Sequence, residues 1–373
     1  MQDEKRTVKY NDSVRDECNE QIASYLNELP DYCAAFNSSR TRQIQVRARK
    51  ENLRDIKLFL RFIKETNPLF KDKTIKDITP DVLEQFTAAD FEDFANWISE
   101  YTGKDKNGRD IVYTNSDVGI KRKLSSVRAL YRFLYNREYI RANPSLKADL
   151  PKLQRKNAAT TIILEKHQRE PFFAEIEAAY DAAFDKIEDE MKITGKNSKR
   201  TLLLPAIAMR DKAMIYLLIS TGMRLSELCG IDCTDYSKEL GTINIIRKGD
   251  KKDVVYISKE TQEILDTYLD EFRCQFKPDN DNYQAMFLSE RKTRISPRSV
   301  EIVVKNIADA ALGTNNGISP HKLRATFGTE YYNQTHDIKA TSIAMGHDSM
   351  QTTATYYVRD DDHAREQARN IKI

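Results

Sequence analysis

No apolar run in this chain approaches the roughly 20 residues needed to cross a bilayer; the longest, such as residues 213–219, fall far short. The opening Met1-Gln2-Asp3-Glu4-Lys5-Arg6 mixes charges and has no apolar stretch of the kind a secretory leader carries, so a cytoplasmic protein is expected. Cysteine is sparse. Cys18, Cys33, Cys229, Cys233 and Cys274 are odd in number, scattered and without a CxxC pair, which points to reduced thiols rather than a disulfide framework. Cys229 and Cys233 stand four apart, with no second ligand pair to complete a zinc site. There is no HExxH motif, and Thr102-Gly103-Lys104 lacks both the upstream glycine and the following hydroxyl of a phosphate-binding loop. Metal-dependent and nucleotide-driven chemistries are therefore disfavoured, and no cofactor is expected. Charge of one sign is not in excess either. The 60 Lys and Arg against 57 Asp and Glu leave a net +3, so a polyanionic partner must be argued from where the charges sit.

A chain of 373 residues is longer than one typical core supports, and two domains are expected. Residues 12–145 read as helical, with apolar side chains at three- and four-residue spacing in Leu53-Ile56-Leu60-Ile63 and Leu124-Val127-Leu130-Leu134. Pro68, Pro80, Gly103 and Gly108 punctuate these helices. The expected boundaries are an N-terminal extension over residues 1–20, a helical domain over 21–150, a basic, proline-bearing linker over 151–165 and a second domain over 166–373. Within the second domain the β-rich runs 242–246 and 254–257 flank Lys248-Gly249-Asp250-Lys251, which has turn chemistry. The remainder is again helical, over 171–191, 206–230, 261–276, 296–311 and 320–333. The fold class expected is mainly α with a small β-hairpin.

Two basic clusters open helical runs. Arg40, Arg42, Arg47, Arg49 and Lys50 form the first; Lys121, Arg122, Lys123, Ser125 and Arg128 form the second. Helix N-termini, hydroxyls and cations together suit contacts to nucleic-acid phosphates. The plainer alternative is a solvated helix face laced with ion pairs.

A third set is richer in chemistry. Arg224 lies in Thr221-Gly222-Met223-Arg224-Leu225-Ser226-Glu227-Leu228, Lys248 in the hairpin, and His321 one turn before Arg324; His347 follows Met345-Gly346, and Tyr356 stands nine residues after His347. Transesterification of a DNA phosphodiester needs this mixture. A pentavalent phosphorus gathers negative charge on its non-bridging oxygens, which two guanidinium forks, Arg224 and Arg324, can bind. The leaving 5′ oxygen needs a proton, which Lys248 can supply, and the attacking phenol of Tyr356 must lose one; His321, on the helix face of Arg324, can take that proton or support the guanidinium clamp, and His347 can donate to a phosphate oxygen.

These motifs resemble those of the tyrosine recombinases, the family that includes phage and transposon integrases and the Xer recombinases. The family pattern is an Arg within Thr-Gly-x-Arg-x-Ser-Glu-Leu, a hairpin Lys, His-x-x-Arg, then Leu-Gly-His and a Tyr nine positions on. Residues 221–228, Lys248, His321 with Arg324, Met345-Gly346-His347 and Tyr356 match it. The neighbours Ser319-Pro320 and Thr352-Thr353-Ala354-Thr355 fit as well, and residues 121–134 before Asn143-Pro144 resemble the closing helix of the family's N-terminal core-binding domain. The resemblance implies a two-domain, C-shaped clamp on double-stranded DNA, with a helical core-binding domain and a mixed, mainly α catalytic domain. It also implies a homotetramer on two sites, strand exchange through a Holliday junction, a C-terminal tail helix docking on a neighbouring protomer, and a possible accessory factor that bends DNA or directs excision. No arm-type DNA-binding module is expected before the helical bundle.

Two positions depart from the family pattern. Arg247 stands where glycine is usual before the hairpin lysine, and Asp253 where a basic residue is common, which makes Lys251 a second candidate for the role of Lys248. Tyr357 adjoins Tyr356, and the spacing from His347 favours Tyr356. The reading is the integrase of a mobile element, a transposon or phage. Rivals are an Xer-type resolvase or DNA invertase, a type IB topoisomerase-like enzyme, and an inactive DNA-binding accessory protein.

Overall fold

The computed structural model describes residues 10–105, 107–148, 162–247, 251–278, 282–347, 350 and 353. The chain divides into two compact units, one over Val8–Arg155 and one over Lys156–Ile373 with Met1–Thr7. Both are mainly helical, each with a small antiparallel sheet. Among the described residues no helix is long and apolar enough to cross a membrane.

The N-terminal unit comprises α1 (Tyr10–Leu26), α2 (Asp31–Ser39), α3 (Val46–Thr66), α4 (Pro80–Glu84), α5 (Ala88–Ser99), the hairpin β1 (Glu100–Lys104) and β2 (Asp110–Thr114), and α6 (Asp117–Asn136). Helix α1 begins inside the stretch expected as an extension and packs on α3. The helical periodicity in the sequence becomes the core: Leu53, Ile56, Leu60 and Ile63 of α3 face Leu124, Val127, Leu130 and Leu134 of α6, all buried. At the centre Phe59 touches the rings of Phe86, Phe91, Phe94 and Tyr131. Tyr131 donates its hydroxyl to the Leu83 carbonyl at 3.0 Å, so this buried ring leaves no orphan donor. Turn chemistry starts the helices. Asp90 accepts from the Thr87 backbone N–H at 2.6 Å at the head of α5, and Ser116 caps α6.

The C-terminal unit is organised around α8 (Leu204–Thr221), preceded by α7 (Lys166–Thr194) and followed by α9 (Leu225–Gly230). The apolar run at 213–219, too short for a bilayer, is the middle of α8, where Ala213, Met214, Ile215, Leu217 and Leu218 are fully buried. A three-stranded sheet follows, β3 (Tyr236–Ser237), β4 (Thr242–Arg247) and β5 (Lys251–Tyr256), in the order β3-β4-β5. Its register sets Thr242 opposite Tyr256 and Arg247 opposite Lys251. Period-two alternation along β4 turns Ile243, Ile245 and Arg247 to the buried face. Then come α10 (Lys259–Thr267), α11 (Pro297–Leu312), α12 (Pro320–Thr335) and α13 (Ile338–Met345), with α7, α10 and α12 packed on α8.

Because Phe59 anchors four rings, Phe59→Ala is expected to cost about 3–5 kcal/mol, the usual range for emptying a buried aromatic site. Hydrogen exchange on the full-length protein should show the loss in amides of the 8–155 unit.

Candidate active site

Two glycine-terminated helices create the site. Helix α8 ends at Gly222 in the left-handed region (φ 61°), and a Cβ there would lie 2.3 Å from Cδ1 of Phe327, so both backbone and space demand glycine. The turn aims the Gly222 carbonyl at Arg324, which donates to it from Nη1. Two residues later Arg224 is the N-cap of α9. Its backbone N–H donates to Glu227 Oε2 at 2.7 Å and its Nη1 to Glu227 Oε1 at 2.9 Å. Pro320 opens α12, which places His321 and Arg324 one turn apart on a shared face.

The second glycine, Gly346, ends α13 with φ 58°. An α-helix leaves its last carbonyls without intrahelical partners. Here arginines take them: Arg224 Nη2 donates to the Gly346 carbonyl at 2.9 Å, Arg324 Nη2 to Met345, and Arg247 Nη1 and Nη2 to Met345 at 3.2 Å and Ala344 at 3.3 Å. Cations at a helix C-terminus also meet the negative end of its dipole. His347 is the next residue, its backbone N–H bonded to Ser342 O at 3.0 Å and its Nδ1 2.9 Å from Oγ1 of the buried Thr353. If the threonine hydroxyl is the donor, the imidazole proton sits on Nε2.

The structure thus brings Arg224, Arg324 and His347 together around one turn, with His321 a helical turn from Arg324. Arg324 is buried, whereas about a third of the Arg224 side chain stays accessible. Lys248 and Tyr356 lie outside the described residues. Lys251 is exposed at the start of β5.

Glu227, Arg247, Gly346 and Thr353 belong to this site although no role was assigned to them above. The three-residue spacing from Arg224 to Glu227 was a visible signal for a helix-start ion pair. Glu227 is nearly inaccessible and serves two guanidiniums, since Arg247 Nη1 lies 3.6 Å from Oε2. Breaking a buried pair by deleting one partner costs roughly 3–5 kcal/mol, so this carboxylate ties α9 to β4. The imidazole of His321 titrates below its ordinary 6.5, chiefly because partial burial disfavours the charged ring and secondarily because Lys322 and Arg324 repel it. Its outer edge remains exposed.

The basic clusters of the N-terminal unit divide by use. Arg122 grips the buried Asp55 through two bonds of 2.6 and 2.9 Å, and Ser126 adds a third at 2.8 Å. Lys123 is buried, donates to Asn115, and has its ammonium destabilised by burial and then by Arg122. Arg128 donates to the Ala148 carbonyl, Arg49 to Thr41 at 3.3 Å, and the Lys50 ammonium lies 3.6 Å from Glu51. Arg40 lies over the Phe36 ring. Arg42, Arg47 and Ser125 are exposed and Lys121 is half-buried.

Residues 188–363 match the model of the phage integrase family. Among curated proteins the chain is 31% identical over 255 residues to tyrosine recombinase XerC of Anoxybacillus flavithermus, covering 67% of this chain and 74% of the relative. It is 29% identical over 248 residues to XerC of Oceanobacillus iheyensis, covering 66% and 72%. Among solved structures it resembles the Tn1549 transposon integrase in complex with a circular intermediate DNA, with a TM-score of 0.58 at 17% identity, over 91% of this chain and 99% of that one.

An NMR titration should find the His321 midpoint below 6.5, with its signal assigned by His321→Asn. A depressed folded value means that His321 adds no penalty above the unfolded midpoint, and that stability is lost as pH falls from there through the folded one. A midpoint at or above 6.5 contradicts the environment described.

Proposed function

We propose, because this chain belongs to the tyrosine recombinase family, that it cleaves and rejoins duplex DNA through a 3′-phosphotyrosine intermediate formed on Tyr356. As a tyrosine site-specific recombinase it needs a phosphate seat, a nucleophile and proton carriers. The observation that carries the reading is the convergence of Arg224 and Arg324 on the turn that immediately precedes His347.

The phenolic oxygen of Tyr356 attacks phosphorus and a new O–P bond forms as the P–O5′ bond breaks. The departing O5′ takes a proton from Lys248 and becomes a free 5′-hydroxyl, while the phenolic proton passes to neutral His321. Arg224 and Arg324 bind the non-bridging oxygens as their charge grows, and His347 donates to one of them. One phosphate ester is exchanged for another, so a 5′-hydroxyl from a second strand can reverse the step without an energy source.

The working assembly we propose is a homotetramer on two recombination sites, with the C-terminal tail exchanged between protomers, a Holliday junction as intermediate and an accessory factor setting direction. Of the two basic clusters, the exposed Arg42, Arg47 and Ser125 are the members we assign to DNA phosphates, with the half-buried Lys121 beside Ser125. We assign the enzyme to a mobile element as its integrase. A second reading, Xer-type resolution, is favoured by the 29–31% identity to XerC relatives. Deleting the gene separates them: loss of element excision supports the first, accumulation of chromosome dimers the second.

The chemistry is tested with a duplex selected by binding from a randomised pool, nicked to trap the intermediate, and resolved on a denaturing protein gel. Wild type should give a covalent band, Tyr356→Phe none at unchanged duplex affinity, and Tyr357→Phe a normal band. A band from Tyr356→Phe overturns the assignment of the nucleophile.

A further inference from the structure

Arg247 has no part in the chemistry above, yet its guanidinium meets four residues around the site, Glu227, Asp253, Ala344 and Met345. It is the last residue of β4 and almost wholly enclosed. Its Nε donates to Asp253 Oδ2 on β5 at 2.7 Å, its Nη1 and Nη2 to the carbonyls of Met345 and Ala344, and its Nη1 also faces Glu227. A Cβ built on Gly346 would come within 2.4 Å of the Arg247 Cζ, so the guanidinium lies against that turn with no room between. The two departures from the family pattern, an arginine at 247 and an acid at 253, are therefore the two ends of one ion pair.

The connections reach every group in the proposed chemistry that the structure describes at this turn. The Met345 carbonyl accepts from both Arg247 and Arg324. Glu227 binds Arg224 while facing Arg247. Gly346, against which Arg247 lies, is followed by His347, and Arg247 itself is followed by Lys248. A lysine concentrates its three donors on one nitrogen; the planar fork of an arginine spreads five over three nitrogens and so can bridge a carboxylate on one strand and two carbonyls of another element.

We propose that Arg247 is a positioning residue of the strand-transfer reaction: with Asp253 as its anchor it clasps the hairpin that delivers Lys248 to the turn that delivers His347. The inference rests on the phosphotyrosine reading given above. Misplacement of a proton donor by about 1 Å costs on the order of 10²-fold in rate. The clasp should therefore matter most where the leaving group needs its proton, as the P–O5′ bond breaks.

The test is single-turnover cleavage of the selected, nicked duplex in two forms, one with the ordinary 5′ oxygen and one with a bridging 5′ sulfur. The sulfur leaves as a thiolate when the P–S bond breaks and needs no proton donor. Arg247→Ala should slow the oxygen substrate by about 10²-fold and the sulfur substrate by less than about tenfold, with Arg247→Lys between it and wild type. Asp253→Asn removes only a partly exposed anchor. It should give a smaller loss of the same pattern, which keeps the test decisive if Arg247→Ala fails to fold. Wild-type rates in the variants, or equal losses on both substrates, overturn the clasp while the phosphotyrosine reading stands. A wild-type protein that forms no covalent adduct on either substrate removes that reading and the clasp with it.

Discussion

The C-terminal turn of α13 is held by arginines from three distant parts of the chain, and the geometry of the site depends on it. Three guanidiniums around the carbonyls of Ala344, Met345 and Gly346 would repel one another in isolation. The carbonyl dipoles and the Glu227 carboxylate between Arg224 and Arg247 offset that repulsion, and burial strengthens both. In return the helix end receives the donors that it would otherwise have to find in water. An arrangement that satisfies itself in this way is built before any substrate arrives, which is what electrostatic stabilisation of a phosphorane requires.

The N-terminal unit uses the same device for a different end. Asp55 is buried in the interface of α3 and α6 and survives there because Arg122 and Ser126 saturate it. Basic residues near the two helix starts are thus of two kinds, those that hold the helices together and those that stay exposed. A count of lysines and arginines along the sequence does not separate them; only partners brought from some 70 residues away do so.

What the sequence made legible was local. His321 and Arg324 share a helix face because three residues make nearly one turn. The β-branched run at 242–246 alternates as a strand should, whereas the helix expected over 206–230 is broken at Gly222, whose left-handed backbone ends α8 before α9 begins at Leu225. The mainly helical fold also follows from periodicity. The rest was not legible because it is tertiary. Arg247 and Asp253 read as two unrelated departures until the β4–β5 pairing joins them. The hairpin of β1 and β2 was missed because all of β2 is exposed and shows no alternation; Asn107-Gly108 was its one turn signal, and Gly108 reads equally well as a break between helices. Glu227 is only a letter of the 221–228 motif until its burial between Arg224 and Arg247 gives it a role.

The most direct measurement is an experimental structure of the protein trapped covalently on a nicked duplex. The account predicts continuous density from Tyr356 to a 3′-phosphate whose oxygens lie within hydrogen-bond distance of Arg224, Arg324 and His347, with the arginine contacts to residues 344–346 still in place. A phosphate seated elsewhere, or a turn released from its arginines when DNA is bound, would contradict it.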